Sequence, residues 1–336
     1  VRNTPSLTFT PVGPGESNVG LRGLTTDLGL APAVAVYIND TPFDFRTDVY
    51  SGTPNIDLFD MQRVEVLRGP QGTLFGSSST GGTIRYITNQ PDMAGFDAHG
   101  EAFVNSVKGG GEGYGAKAAV NVPLSSFAAL RLTGTYEKIA GYIDRYDATL
   151  AGLTSPQSND SIAQKNANDA TIFSLRAALR LEAGSDFTIT PSLFFQRIDA
   201  DNPIATQSNL PGFGRASAIG AEPSRTDLLV ANLTIEKSLG NVELVSSSSY
   251  LHKKSGATID YTPFTYNLFG AFAPFASLTP ATADTYVQEL RLTSSNDGPF
   301  NWIAGAYFSH TDQKLGQIFV GQDLTDLLDS LFGPAA

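Results

Sequence analysis

From about residue 95 to about residue 310, apolar and polar side chains alternate along long segments of the chain. In segment 128–137, for example, one face carries alanine, leucine and tyrosine, and the other carries arginine, threonine and glutamate. This period of two predicts nine strands, at about 96–107, 115–122, 128–137, 173–182, 187–196, 229–236, 241–253, 284–294 and 300–310. Most have about ten residues or more, whereas ordinary strands have about five or six.

The connections between these strands alternate in length. Segments 123–126 and 183–185 are short turns, whereas 139–169, 198–225 and 254–283 are long and rich in glycine, proline, serine and asparagine. A tilted strand of about 9–11 residues crosses a bilayer, with its apolar face toward lipid and its polar face toward a wet lumen. We therefore predict an antiparallel transmembrane β-barrel portion, with a soluble β-sandwich or a set of β-rich repeats as the alternative.

The first 93 residues follow a different pattern, with frequent glycine and proline between short apolar strings such as 33–38 and 64–67. Segment 55–61 is predicted to form a short helix that leads into the second string. These features are typical of a small mixed α/β globule. We expect one domain at 1–93 and the barrel portion at 94–336.

Composition narrows the function classes. Acidic residues outnumber basic ones by 33 to 22 in the 336-residue chain, which argues against nucleic-acid binding as the main task. Cysteine is absent, so the chain has no disulfide, thiolate metal site or cysteine nucleophile. Only 16% of the residues are charged, against about 25% in an average soluble protein. Something other than charge must therefore cover the outside of the molecule.

The motifs of common enzymes are missing or lie in the wrong context. Residues 76–83 resemble a phosphate-binding loop, but Gly82 replaces its lysine and a strand-forming segment follows. Residues 113–118 resemble a dinucleotide fingerprint, but they open a strand and not a helix. The three histidines lie on separate predicted strands, which disfavours a metal cluster. We predict no catalytic residue, no metal site and no cofactor.

Residues 63–76, followed by 81–88, closely resemble the end of the plug domain of TonB-dependent outer-membrane receptors. Residues 21–23 and 36–40 are similar to the family's Arg-Gly plug motif and central plug strand, and 288–292 and 302–305 to its barrel-strand motifs. The turn and motif positions of the plug are Gly23, Gly69, Pro70, Gly72, Gly76, Gly81 and Gly82. Tight turns suit a globule that is confined inside a barrel.

The resemblance implies a receptor in the outer membrane of a Gram-negative bacterium that takes up a bulky, scarce ligand, foremost a ferric siderophore. Its partners would be the TonB energy-coupling complex, outer-membrane lipid and the extracellular ligand, without nucleic acid. A receptor of the same architecture for an oligosaccharide or another organic nutrient is the first alternative. A non-transporting surface β-protein or adhesin is the second, and an enzyme is disfavoured.

Within this resemblance, Arg22 and Arg68 are expected to lock the plug to the barrel wall through buried carboxylates. Glu65 and Glu289 are candidate partners, although all four residues have an alternative interpretation as solvated surface residues. In the long loop at 254–283, Tyr261, Phe264 and Tyr266 are candidates for stacking on the ligand. They would otherwise cover the barrel rim or pack within the loop.

The family's barrel has twenty-two strands around a plugged lumen, whereas about nine are predicted here. We therefore expect the chain to be an internal portion of a receptor, with a leader, an energy-coupling segment and the start of the plug before Val1. Further barrel strands would follow Ala336. Because open strand edges leave backbone groups unsatisfied in lipid, the isolated chain is expected to aggregate.

Overall fold

A computed structural model of the chain describes residues 4–13, 15–25, 32–43, 52–72, 78–147, 162–206, 210, 212–262, 266, 274–295 and 300–321. Among these residues, no helix is long and apolar enough to span a membrane.

The described residues from 4 to 89, here called the plug, contain eight strands in two small sheets. The strands are β1 (Leu7–Gly13), β2 (Glu16–Leu21), β3 (Leu24–Thr25), β4 (Val34–Ile38), β5 (Thr41–Pro42), β6 (Thr53–Pro54), β7 (Met61–Arg68) and β8 (Gly82–Thr88). One sheet has the order β1-β2-β3, with β6 paired to β2, and the other has the order β5-β4-β8-β7. Strands β4 and β8 run parallel and are largely buried, so they form the centre of the plug.

The short helix predicted at 55–61 is wrong, because this segment is irregular until β7 begins. Asp60 has a φ of 58°, in the left-handed region that a right-handed helix does not use. The carbonyl oxygen of Phe59 accepts a hydrogen bond of 3.2 Å from Arg176, which lies far along the chain. Tertiary contacts therefore override the helical tendency of this segment.

In the described part of the chain, fourteen strands follow the plug. They are β9 (Asp97–Ser106), β10 (Glu112–Ser125), β11 (Ala128–Ile139), β12 (Asp144–Asp147), β13 (Ile162–Gln164), β14 (Ala170–Glu182), β15 (Phe187–Ala200), β16 (Gly214–Ser217), β17 (Ser224–Ser238), β18 (Val242–Asp260), β19 (Phe275–Leu278), β20 (Ala281–Ser294), β21 (Ile303–Leu315) and β22 (Ile318–Gly321). Nine of them, here called the wall, form one antiparallel path in the order β21-β20-β18-β17-β15-β14-β11-β10-β9. The nine long strands predicted from the alternation are confirmed.

The two rims of the wall differ in their connections. At one rim, the turn rim, short turns join β10 to β11, β14 to β15 and β17 to β18. At the other, the loop rim, long connections join β11 to β14, β15 to β17 and β18 to β20. The predicted alternation of short and long connections is therefore confirmed.

The outward face of the wall is apolar across its middle. Leu132 and Leu175 project from it with 40% and 49% of their surface exposed, and Leu193, Leu233 and Leu290 are likewise exposed. Closer to the loop rim, aromatic side chains of adjacent strands pair on the same face, namely Tyr114 with Tyr136, Phe173 with Phe195 and Tyr250 with Tyr286. An apolar band edged by aromatic rings is the surface of a transmembrane barrel.

The inward face of the wall surrounds the plug. Contacts with the plug extend from His99 on β9, 3.7 Å from Asp60, to Arg291 on β20, 3.9 Å from Asp40. The wall therefore curves around the plug as an incomplete barrel.

The expectation of a polar barrel interior holds for only part of the wall. Inward side chains of β15, β17, β18 and β20 join the apolar core of the plug in one buried cluster, and these are Phe194, Leu228, Val230, Leu251, Ala283 and Val287. Their plug partners include Val36, Ile38 and Ile84. Apolar side chains of the plug and the wall fill the interior here, and burial stabilises them.

The long connections at the loop rim have their own small core. Strands β13, β12 and β16 form a three-stranded sheet around the buried ring of Tyr146, with Leu210 and Ala216 packed beside it. Arg215 and the buried carboxylate of Glu222 form a two-point ion pair, with N–O distances of 2.5 and 2.6 Å. The described loops at this rim are therefore folded, and the buried carboxylate of Glu222 has a charged partner.

Candidate functional site: the interface between plug and wall

The plug carboxylate Asp60 is fully enclosed by donors, most of them on the wall. Arg131 on β11 donates from Nε to Oδ2 at 2.9 Å and from Nη2 to Oδ1. Arg176 on β14 and the hydroxyl of Thr133 reach Oδ2 at 3.1 and 2.8 Å, and Asn89 of the plug reaches Oδ1 at 2.8 Å. One carboxylate therefore ties the plug to two wall strands.

The register of the wall brings these donors together. Strands β11 and β14 pair so that Thr133 lies opposite Arg176, and Arg131 is two residues from Thr133 on the same inward face. The left-handed φ of Asp60 turns the chain just before β7. The sheet register and one turn thus create a four-group pocket for the carboxylate.

The environment of Asp60 favours its ionised form. Burial alone would raise the pKa of this carboxyl, but hydrogen bonds from Arg131, Asn89 and Thr133 and the charge of Arg131 outweigh burial and hold the pKa well below its usual value. The carboxylate therefore remains negative at any physiological pH.

Further charged contacts surround this pocket. Lys117 on β10 lies 3.1 Å from the carboxylate of Asp57 in the plug. Arg176 also donates to the backbone carbonyl oxygen of Asp60 at 3.0 Å. We call the set formed by Asp57 and Asp60 of the plug with Lys117, Arg131, Thr133 and Arg176 of the wall the ionic interface.

The opposite side of the plug meets the wall through the shared apolar cluster described above, here called the apolar interface. Leu251 is wholly buried at its centre. Two hydrogen bonds flank the cluster, one of 2.8 Å between the hydroxyls of Thr41 and Ser249 and one of 2.9 Å from Thr226 to Glu16. The plug is therefore held by charge on one side and by apolar burial on the other.

Two cavities adjoin the Asp60 pocket, one on each side of it. The inner cavity, of about 330 Å³, is lined by six arginines and two carboxylates, namely Arg63, Arg85, Arg131, Arg176, Arg180, Arg291, Asp40 and Glu236. The outer cavity, of about 710 Å³, is lined by Asp57, Asp60, Glu101 and Glu137 with Lys117 and His99. Asn89 lines both cavities. The ionic interface thus lies between a space whose charged side chains are mostly arginines and one whose charged side chains are mostly carboxylates.

The residues predicted to lock the plug lie outside the ionic interface. Arg22 and Arg68 are exposed, and in the described part of the chain neither lies within ion-pair distance of a carboxylate. Glu65 instead pairs within the plug, at 2.7 Å from Arg63 and 2.9 Å from Arg85. The locking role of Arg22 and Arg68 stays a prediction.

Glu289 is linked to the plug through Arg291. It accepts a hydrogen bond of 3.0 Å from Arg291, and Arg291 lies 3.9 Å from Asp40 of the plug. Asp40 in turn is 3.1 Å from Arg85, which also binds Glu65. Glu65 and Glu289 thus belong to one charge network across the inner cavity.

The motif glycines differ in how strongly their positions require glycine. Gly82 has a φ of 144°, and a β-carbon there would lie 2.3 Å from the carbonyl oxygen of Leu67. Gly69 and Gly23 also have positive φ values, of 95° and 81°. Gly81 packs against the backbone, Gly72 faces open space and Pro70 is exposed, while Gly76 lies outside the described residues.

The three candidate ligand residues also differ in their surroundings. Tyr261 packs in a ring cluster with Phe275 and Phe319, at centroid distances of 5.9 and 5.5 Å. Tyr266 is half-buried, and Phe264 lies outside the described residues. Of the two interpretations left open for Tyr261, packing within the loop is the one that these contacts support.

Comparison with known proteins gives the plug an independent assignment. Residues 1–83 match the family model of the TonB-dependent receptor plug domain. Over 77 residues, 23% of this chain, the sequence is 42% identical to the pesticin receptors of Yersinia enterocolitica and Yersinia pestis, of whose length the match covers 10%. Residues 1–83 thus belong to the plug-domain family of TonB-dependent receptors.

Solved structures extend the fold comparison to the wall. The ferric yersiniabactin uptake receptor FyuA of Yersinia pestis superposes with a TM-score of 0.75 at 19% identity, over 95% of this chain and 46% of that one. The siderophore receptor PiuA of Acinetobacter baumannii gives 0.64 at 14% identity, over 93% and 42%. The chain thus spans less than half the length of these two proteins, and at such identities the likeness shows the fold alone.

Proposed function

We propose that this chain is the plug and the first part of the barrel of an outer-membrane receptor that takes up a ferric siderophore with energy from a TonB complex. The observation that carries the proposal is a plug seated inside a wall whose outward face is apolar and edged by aromatic rings. Relatives of this fold are receptors for ferric yersiniabactin and other siderophores. The division between plug and barrel is proposed at residues 93 and 94.

In this proposal the outward face contacts outer-membrane lipid, the loop rim faces the outside of the cell and the turn rim faces the periplasm. Long loops on the outside and short turns on the inside are the arrangement of outer-membrane barrels. The folded loop region around Tyr146 and Tyr261 lies at the outer rim, where a ligand arrives. No step of uptake requires covalent chemistry by a side chain.

We further propose that the ligand passes along the ionic interface. Both cavities border this interface, because Arg131, Thr133 and Arg176 line one and Asp57, Asp60 and Lys117 line the other. Ionic hydrogen bonds depend steeply on distance and angle, so a small displacement of the plug abolishes them together. The apolar interface loses contact area gradually when surfaces slide, because apolar burial is non-directional.

The proposal is tested with the full-length receptor in its own cells. Deletion of the gene should abolish accumulation of iron-55 from the cognate ferric siderophore under iron limitation, with a panel of ferric siderophores identifying which complex is taken up. Disruption of the TonB system should abolish accumulation while surface binding persists. Membrane fractionation should recover the receptor in the outer membrane.

An oligosaccharide panel at the same concentrations serves as the control for ligand class. If the deletion strain accumulates every ferric siderophore at the wild-type rate and instead loses growth on one sugar, the siderophore assignment is wrong. If neither class is affected and only cell adhesion changes, transport itself is wrong.

A further inference from the structure

Arg131 and Arg176 bind a carboxylate that belongs to a different part of the molecule. Both arginines project from wall strands, whereas Asp60 lies on the turn before β7 of the plug. Any movement of the plug relative to the wall therefore separates the carboxylate from its donors. What remains on the wall is a preformed set of donors without its acceptor.

These wall donors suffice to bind both oxygens of one oxyanion. Arg131 offers Nε and Nη2 to the two different carboxylate oxygens, which is the two-point geometry that guanidinium groups use for carboxylates. Arg176 and Thr133 add donors to the oxygen Oδ2, at 3.1 and 2.8 Å. The wall alone thus supplies four hydrogen bonds, and Asn89 of the plug supplies a fifth.

The same donors face a cavity that a ligand can occupy. Arg131, Thr133 and Arg176 line the inner cavity, together with Arg180 further toward the turn rim. Arg131 and Arg176 are nearly buried, with 10% and 13% of their side-chain surface exposed. When Asp60 departs, the exposed carboxylate of Asp97, 3.9 Å from Arg131, is the one remaining ion-pair partner of the two arginines among the described residues. Two buried guanidinium groups with so little counter-charge favour a new anion.

We propose that Arg131, Thr133 and Arg176 form a second ligand site on the transport path, which Asp60 occupies at rest and an anionic group of the ligand occupies when the plug moves. The ligand class is a metal chelate that carries a free carboxylate or another oxyanion with two adjacent oxygens. This inference rests on the proposed function and specifies the ligand chemistry. Asp60 acts as an internal stand-in for that ligand group.

The test replaces the stand-in with a small free anion. In the full-length receptor, Asp60→Gly removes a CH₂–COO⁻ group, which has the size and charge of acetate. Glycine accepts the φ of 58° at this position, so the backbone can keep its turn. Thermal and denaturant unfolding of the plug are measured in detergent with increasing acetate. At about ten times its dissociation constant, acetate should shift the unfolding equilibrium of D60G roughly tenfold.

Three matched controls define the site. Acetamide has the shape of acetate without its charge and should give less than about a tenth of the effect. Asp60→Asn fills the pocket with a neutral side chain and should not respond to acetate. The variant D60G/R131Q/R176Q should lose the acetate response, because the donors are removed. Equal acetate responses in D60G and in D60G/R131Q/R176Q would overturn the inference.

A second pair of variant and anion keeps the inference testable if D60G does not assemble. Asp60→Ala retains the β-carbon and leaves space for formate, so formate should stabilise D60A and not D60N. Absence of any anion response in both D60G and D60A overturns the inference even if wild-type cells accumulate the ferric siderophore. Loss of the proposed function is recognised separately, because wild-type uptake would then be absent whatever the response to acetate or formate.

Discussion

Strands β10, β11 and β14 meet the plug through charges, whereas strands β15, β17, β18 and β20 meet it mainly through buried apolar side chains. The first contact converges on one carboxylate, Asp60, which satisfies two arginines at once. The second spreads over a continuous cluster that contains Leu251 and Val287 of the wall. A contact concentrated in one group is lost in one step, and a distributed apolar contact is not. The difference suggests that one side of the plug is built to release and the other to hold.

Asp60→Ala should cause the largest loss of plug stability among these variants. Removing the carboxylate takes the short ion pair from both buried arginines and leaves only the 3.9 Å contact of Arg131 with Asp97 among the described residues, so we expect a cost of about 3–5 kcal/mol. The measurement is denaturant-induced unfolding of the plug in the full-length receptor, followed by a label at residue 24, an exposed leucine. Asp57→Asn, in the less enclosed pair with Lys117, is the control and should cost less.

Leu251→Ala tests the apolar interface by the same measurement. The side chain is wholly buried between wall and plug, so truncation should cost about 2–5 kcal/mol. Leu290→Ala is the matched control, because Leu290 lies on the outward face with 43% of its surface exposed. Equal losses of plug stability in the two variants would mean that inward and outward faces of the wall are wrongly assigned.

Asp60→Asn isolates the charge of the ionic interface. The amide retains the shape but loses charge-assisted hydrogen bonds, so we expect a loss of about 1.5–3 kcal/mol at neutral pH. Because the folded state lowers the pKa of Asp60, its stabilising contribution is fully present above the usual carboxyl pKa of about 4 and is lost as pH falls through the folded-state value.

The difference in unfolding free energy between wild type and Asp60→Asn should therefore be constant from about pH 8 to pH 5 and shrink below about pH 4. Unfolding titrations of both proteins across this range supply the comparison. A difference that shrinks between pH 8 and pH 6 would contradict the assignment to the Asp60 carboxylate.

Arg63→Gln should give the smallest effect. Arg63 pairs with Glu65 at the plug surface, with 52% of its side chain exposed, so its loss should cost less than about 1 kcal/mol. The pKa of Glu65 is lowered chiefly by the hydrogen bond from Arg63, and Arg85 remains as its second partner in the variant. A cost comparable to that of Asp60→Ala would place the ionic interface in the Glu65 network instead.

The sequence predicts the structure correctly where the period-two alternation alone determines it. The alternation along 128–137 and its counterparts predicted the wall, because strand side chains must point to opposite faces. The same pattern put Arg131 and Arg176 on the polar face of their strands. The glycine at position 82 was also predictable from its motif, and its backbone conformation explains why no other residue fits.

The pairing of residues in the ionic interface could not be predicted from the alternation of side chains. Asp60 lies 71 residues before Arg131, and nothing local marks it as the carboxylate that two wall arginines share. Its segment was assigned to a helix, whereas the wall binds the backbone there. Leu228 and Val230 were missed as inward residues because an expected wet lumen has no place for them, although the plug buries both.

One engineered crosslink tests most directly that the ionic interface opens while the apolar interface holds. The hydroxyl oxygens of Thr41 and Ser249 lie 2.8 Å apart beside the apolar cluster, so cysteines at these positions can form a disulfide between plug and wall. Uptake of the cognate ferric siderophore is measured in the oxidised and reduced states of Thr41→Cys/Ser249→Cys. Opening along the ionic interface predicts equal uptake in both states. Loss of uptake on oxidation, with recovery on reduction, would show that the plug must leave the apolar side of the wall.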